Sequence, residues 1–228
     1  MSSGAGQNND LRGYGDFETV YADDNLLVLN KPAGLLSVPG KGEDKQDCLS
    51  SRVQQAYPDA LVVHRLDMAT SGLMMMARGG GMQRSLSRLF ENHEVHKRYI
   101  AMVDGDMRSD KAPDEWQLID LPIAVDWPNR PLRVIDPLLG KPSQTRWRAL
   151  SFDPATHTTR LELEPVTGRS HQLRVHLKAL GHPILGDSLY ATEEAKIRAR
   201  RLLLHSCLLE FTDPSSGKRL SLTSEPGF

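Results

Sequence analysis

Residues 61–78 place two apolar runs on either side of a short polar crest. Leu61-Val62-Val63 leads into His64-Arg65-Leu66-Asp67, and the chain turns through Thr70-Ser71-Gly72 into a second run from Leu73 to Ala77. Apolar runs of this length, bounded by turn residues, read as strands. A crest between them is a loop whose two ends are held by a scaffold, the setting in which catalytic and binding residues gather. On it Asp67 stands two residues from Arg65, one carboxylate beside one guanidinium. Taken alone, Arg-x-Asp is an ordinary polar turn, so the rest of the chain has to decide.

Further strand-like runs, separated by Gly, Pro, Asn and Asp, fall at 17–22, 25–29, 98–104, 132–135, 144–151, 158–164, 203–211 and 219–223. With 60–64 and 72–77 they dominate the chain. Helical periodicity is clearest over 82–93, where Met82, Leu86, Leu89, Phe90 and His93 share a face. Residues 47–57, 170–180 and 191–199 also read as helices, with Asp47 and Ser170 as N-caps of the first two. Strands outnumber helices without alternating regularly with them, which predicts an α+β fold with a mixed sheet. Residues 1–15 read as a flexible tail, 16–228 as one domain, and 105–118 as a polar excursion.

At 228 residues, 39% apolar and 25% charged, the chain can build a sizeable core. It contains no apolar run of the ~18 residues a membrane span needs. Its first ten residues lack the basic start and apolar stretch of a secretory signal. Cys48 and Cys207, far apart, suit a reducing cytoplasm. His171, His176, His182 and His205 match no common zinc spacing, so no metal is expected.

Six motifs follow one another along the chain. They are Leu29-Asn30-Lys31-Pro32-Ala33-Gly34-Leu35, the crest at 64–78, and Lys97-Arg98-Tyr99-Ile100-Ala101. Then come Thr167-Gly168-Arg169-Ser170-His171-Gln172-Leu173-Arg174-Val175-His176, Gly181-His182-Pro183-Ile184-Leu185-Gly186-Asp187 and Arg201-Leu202-Leu203-Leu204-His205. One such motif is a weak signal, and six in order are specific. Together they resemble the pseudouridine synthases, in the branch that modifies uridines in ribosomal and transfer RNA, over roughly residues 17–228. The stretches 35–40 and 126–131 and the short length resemble its bacterial dual-specificity subgroup. That likeness implies uridine 746 of 23S rRNA and uridine 32 of the tRNA anticodon loop, both in hairpin loops where bases splay out cheaply.

The resemblance implies a single catalytic domain: a bent, mainly antiparallel sheet with flanking helices and a central RNA-binding cleft. It also implies no accessory N-terminal RNA-binding domain, no cofactor, no obligatory protein partner and a monomer. The reaction breaks the N1–C1′ bond, turns the uracil and joins C5 to C1′, with the base out of its stack. By resemblance Asp67 is the catalytic carboxylate, with attack on C1′, attack on C6 and abstraction of a sugar proton all open. Arg174 is the cation that keeps Asp67 charged against desolvation. Tyr99 stacks on the flipped uracil, and its hydroxyl hydrogen-bonds or moves a proton. Leu203 walls the base and Arg65 fills the vacated stack. His64 either orients the loop through a structural hydrogen bond or contacts RNA. Arg169 and His171 cluster with Arg174, while Trp127 and Arg130 form an aromatic-basic loop suited to RNA. Lys31 reads as a brace for its turn.

A net charge of −1 is low for an RNA-binding protein. Arg169, Arg174, Lys178, Lys196, Arg198, Arg200 and Arg201 concentrate positive charge between 165 and 205, which predicts a basic face. Gly79-Gly80-Gly81 predicts a late helix start, and Met74-Met75-Met76 a tolerant core. Two rival classes remain: a catalytically silent RNA-binding protein on the same fold, and a carboxylate-dependent nucleoside or glycoside hydrolase. The second normally pairs two carboxylates, and no second acid stands near the Asp67 motif in sequence.

Overall fold

The computed structural model describes residues 17–108 and 115–228. The expected tail at 1–15 and the middle of the 105–118 excursion lie outside the described residues. A ten-stranded sheet forms the frame. At one side β1 (Glu18–Ala22) pairs with β2 (Leu26–Lys31), which pairs with β4 (Ser71–Arg78), and β3 (Ala60–Val62) joins the far end of β4. At the other, β5 (His96–Asp104), β10 (Thr158–Pro165), β9 (Gln144–Asp153) and β6 (Gln117–Asp120) continue in that order. Between the halves runs β11 (Leu204–Thr212), with β12 (Arg219–Thr223) along its outer part. A separate hairpin is made by β7 (Ile123–Val125) and β8 (Arg133–Ile135).

Burial explains the apolar runs. Leu27, Leu29, Met74 and Met76 face one core with Leu49 and Val53 of α1 (Leu49–Ala56). Leu26, Val28, Leu73, Met75 and Ala77 face a second with Leu86 of α2 (Gly79–Glu91). Strands covered on both faces lose the in–out alternation and read as continuous apolar stretches. The other half keeps it: Leu161 and Leu163 are fully buried, while Glu162 between them pairs with Arg98 and Arg148.

The halves are stitched together through β11, where His205 pairs with Ser71 and Ile100. Ser206 pairs with Gly72 in the parallel β4–β11 contact and with Tyr99 in the antiparallel β11–β5 contact. Gly72 has φ +108, and a Cβ there would lie 2.3 Å from the Ser206 carbonyl oxygen. No other residue fits both the conformation and the approach. The crest just before β4 is thereby set beside the strand that carries Tyr99.

Local expectations fail in instructive places. Cys48, rather than Asp47, caps α1, its sulfur accepting the Ser51 N–H at 3.4 Å, while Asp47 pairs with Arg52 at 2.7 Å. Ser170 does not cap α3 (Gln172–Ala179): that position belongs to His171, in the left-handed region at φ 59. Instead the Gln172 amide oxygen accepts from the Thr167 hydroxyl and the Arg169 N–H, and so holds the loop. α2 begins at Gly79, earlier than its glycines suggest. Tertiary bonds fix its start, the Gly79 N–H donating to Asp59 O at 2.9 Å and Arg78 pairing with the Asp59 carboxylate. α4 (Glu193–Ile197) is shorter than expected and is capped by Thr192. β6 and β7 fall outside the expected strands.

Candidate active site

A cleft of about 790 Å³ opens where the crest, β5, the β7–β8 hairpin and the entry to α3 meet. It is lined by Asp67, Tyr99 and Arg174, together with His64, Arg65, Arg169 and His171. Three distant motifs therefore converge on one cavity.

Arg174 projects from the buried face of α3 and is 3% exposed. Its Nε and Nη2 donate to the two oxygens of Asp187 at 2.7 Å each, and its Nη1 donates to Asp67 Oδ2 at 3.1 Å. Tyr190 lies under the guanidinium, 5.0 Å from its ring centre. The two carboxylates are not equivalent. The Asp187 side chain is enclosed, whereas that of Asp67 is 27% exposed and faces the cleft. Asp187 also accepts the N–H groups of Leu189 and Tyr190. Gly186 makes this possible: at φ +72, a Cβ there would sit 1.9 Å from the Arg201 carbonyl oxygen.

Asp187 is the residue that sequence reasoning left without a role. The signal was present, an acid closing the apolar Ile184-Leu185-Gly186 stretch, because a buried acid requires a cation. It also corrects the expectation that no second acid stands near Asp67. The two share one guanidinium, but both oxygens of Asp187 are engaged by Arg174 and backbone N–H groups, so it does not complete a hydrolytic pair.

Tyr99 and Lys97 alternate with Arg98 on β5, so both face the cleft. Burial pushes the Tyr99 hydroxyl up to about 12, leaving a neutral phenol at ordinary pH. His171 donates or accepts at Tyr190 Oη (2.6 Å) through Nδ1, and its Nε2 lies 3.9 Å from Asp67 Oδ2. Burial lowers its pKa, with Asp67 opposing. Lys31 is fully buried, its ammonium donating to the carbonyls of Pro32, Leu35 and Met68 at 2.9, 2.7 and 3.1 Å. Burial pulls it down to about 8. It braces the crest from beneath, one residue after Asp67.

For His64 the geometry favours the structural hydrogen bond. Its Nε2 accepts the Met75 N–H at 2.9 Å, and its ring stacks on Phe90 at 4.4 Å. Burial holds its pKa near 3. The unfolded histidine titrates near 6.5, so between about pH 3 and 6.5 the unfolded chain binds more protons. Stability from this group is present above about pH 6.5 and declines as pH falls. The thermal midpoint should drop between pH 6.5 and 5, and less so in His64→Gln, whose amide oxygen can still accept from Met75. Equal slopes in the two proteins would assign the acid sensitivity elsewhere.

Other expected residues lie differently. Leu204 lines the cleft and belongs to the core cluster against which the partly buried Leu203 packs, and Leu203 is not part of the lining. Trp127 is 65% exposed with the Arg130 guanidinium 4.4 Å from its ring centre. Neither lines the cleft, which their hairpin reaches through Pro131 and Arg133. The basic face also has another origin. Of the cations between 165 and 205, Arg169 and Arg174 line the cleft. Lys196 pairs with Glu193, Arg198 with Asp104, and Arg201 donates to Ser71 Oγ. Further cleft cations come from separate segments, as Arg65, Lys97 and Arg133. His176 bonds to Thr145 and Leu121, His182 to Asp104, and His205 to Ser71 and Ser224. Among the described residues no group of three or more His, Cys, Asp or Glu could hold a metal ion, and no helix is long and apolar enough to cross a membrane.

A family model described as RNA pseudouridylate synthase matches residues 25–179. The dual-specificity RNA pseudouridine synthase RluA of Escherichia coli strain K12 is 47% identical over 209 residues, 92% of this chain and 93% of that protein. RluA of Vibrio parahaemolyticus is 48% identical over 202 residues, 87% of this chain and 79% of that one. Among solved structures, human RNA Pseudouridylate Synthase Domain Containing 1 aligns with a TM-score of 0.77 at 26% identity, covering 100% of this chain and 88% of that one. Human RNA Pseudouridylate Synthase Domain Containing 4 aligns at 0.70 and 26% identity, covering 91% and 88%. The family model spans most of the chain and its motifs meet in one cleft, and the protein belongs to the RNA pseudouridylate synthase family.

Proposed function

We propose that the protein isomerises uridine to pseudouridine in RNA hairpin loops, with Asp67 as the carboxylate that acts on the glycosidic bond. The observation that carries this is one ion pair: a cleft-facing Asp67 oxygen held at 3.1 Å by an enclosed Arg174. A fixed cation keeps the carboxylate charged and aimed when a flipped base excludes water. Tyr99 stacks on the uracil, and as a neutral phenol it donates a hydrogen bond or hands on a proton. Arg65, exposed at the rim, fills the gap left in the RNA stack. Leu204 takes the role of apolar wall that Leu203 was expected to fill, and Arg169, Trp127 and Arg130 meet the surrounding RNA. No redox or group-transfer step is required, because the reaction rearranges bonds within one nucleotide.

The hydroxyl and the ring of Tyr99 have separable effects. Tyr99→Phe should bind RNA as the wild type does and lose about 10²-fold or more in isomerisation. Tyr99→Leu should weaken binding as well. An unimpaired Tyr99→Phe would leave only stacking to this residue.

For the substrate, the near-full-length relatives named as dual-specificity enzymes support two RNA targets, which we take, from the motif resemblance, to be uridine 746 of 23S rRNA and uridine 32 of the tRNA anticodon loop. We further infer a cytoplasmic monomer whose residues 16–228 act as one catalytic domain. Mapping pseudouridine in transcripts of both hairpins after incubation with the protein tests the assignment. Modification of both at those positions supports it, and modification of only one, or elsewhere, replaces dual specificity by a different site choice.

A further inference from the structure

Lys97 lines the cleft, and among the described residues no carboxylate pairs with its ammonium. Other enclosed cations around the site are answered: Arg174 by Asp67 and Asp187, and Lys31 by three carbonyl oxygens. Among the described residues the Lys97 ammonium makes no hydrogen bond or ion pair, its backbone alone pairing with β11. Its ammonium rests instead over the ring of Phe90, 5.9 Å from the centre, and Phe90 stacks on His64. Burial lowers its pKa, and no carboxylate counters this. His64 cannot serve as its acceptor, because the histidine Nε2 already takes the Met75 N–H and the two groups repel when both are charged. A partly desolvated ammonium without an acceptor is unfavourable until something supplies one.

The position narrows what that is. Lys97 and Tyr99 sit two residues apart on one face of β5, about 7 Å along the strand. A uracil stacked on Tyr99 brings its sugar and phosphates to the adjoining wall, since base, sugar and phosphate are one covalent unit. A flexible point charge suits a phosphate whose exact placement varies between RNA loops. We propose that Lys97 binds a backbone phosphate flanking the target uridine and so anchors that nucleotide in the cleft, adding to binding rather than to the chemical step. This rests on the isomerase reading above and makes Lys97 a substrate-binding residue of that site.

The test compares wild type, Lys97→Met and Lys97→Arg on an anticodon-loop transcript, with RNA affinity measured across salt concentration. Methionine keeps an apolar stem against Phe90 and removes only the charge. Lys97→Met should weaken binding and raise KM about tenfold, with kcat little changed and the salt slope reduced by about 1. Lys97→Arg should restore most of the affinity. The thermal midpoint of Lys97→Met should equal or exceed that of wild type. A transcript with a neutral methylphosphonate 5′ or 3′ of the uridine adds a double-mutant cycle. At the recognised phosphate, neutralisation should weaken wild type and leave Lys97→Met no weaker than before. Fully additive losses at both phosphates, or wild-type affinity and salt slope in Lys97→Met, would overturn the proposal. A lowered midpoint with an unchanged salt slope would do the same by marking a purely structural cation. Failure of wild type itself to modify the transcript would count against the isomerase reading instead.

Discussion

Asp67→Ala is expected to lower uridine isomerisation by about 10⁴-fold or more, the scale on which loss of a central catalytic group acts, while RNA binding survives. The reasoning is geometric. The cleft cations proposed to meet RNA, Arg65, Lys97, Arg133 and Arg169, come from separate segments, and among the described residues none of them pairs with the carboxylate. The fold should also survive. Arg174 keeps both of its 2.7 Å bonds to Asp187 when Asp67 is removed, and Asp67 is the more exposed partner. The stability change should stay within about 1 kcal/mol, as for a partly exposed ion pair. Loss of RNA affinity together with activity would mean that Asp67 organises the cleft rather than acting in it.

Asp187→Ala should show the opposite profile. It strips the enclosed guanidinium of two of its three carboxylate bonds and orphans the Leu189 and Tyr190 N–H groups. Breaking a buried pair from one side costs about 3–5 kcal/mol, because a charge is left inside without its partner. In a domain of this size that lowers the thermal midpoint by roughly 6–20 °C. Activity should fall too, since Asp67 is aimed by a guanidinium that Asp187 no longer holds. Asp187→Asn, which keeps an oxygen for the backbone donors, should lie between. Similar stability losses in Asp67→Ala and Asp187→Ala would refute the asymmetry in burial on which both expectations depend.

The residues that meet in the cleft were legible because each stands in a local motif. Asp67 on its crest, Tyr99 on a strand and Arg174 beside an apolar stripe each stand in a motif whose spacing survives in one dimension. The mixed sheet was legible for a similar reason, since strands outnumber helices and runs such as Leu26–Leu29 and Leu73–Ala77 carry the mark of burial on both faces, while its mainly antiparallel pairing followed from the family resemblance. What was not legible depends on contacts across long separations. Asp187 acquires its meaning from Arg174, thirteen residues away around a turn, and Lys97 from an ammonium that no carboxylate pairs with among the described residues. Leu203 and Leu204 are adjacent, and only the strand's orientation decides which meets the cleft. The basic stretch at 196–201 misled because charge counted along a chain ignores partners such as Glu193 and Asp104. Helix starts failed for the same reason. Propensity is a weak prior, and at Gly79 the bonds to Asp59 override it.

The most direct measurement is tritium release from 23S rRNA and tRNA hairpin transcripts labelled at uridine C5, with wild type and Asp67→Ala side by side. Forming the C5–C1′ bond expels the C5 hydrogen, so release reports the isomerisation itself. The account predicts release by wild type and none above background by Asp67→Ala, with both proteins binding the transcripts. Release by both proteins would contradict the role of Asp67, and binding without release by either would leave an RNA-binding protein in place of an enzyme.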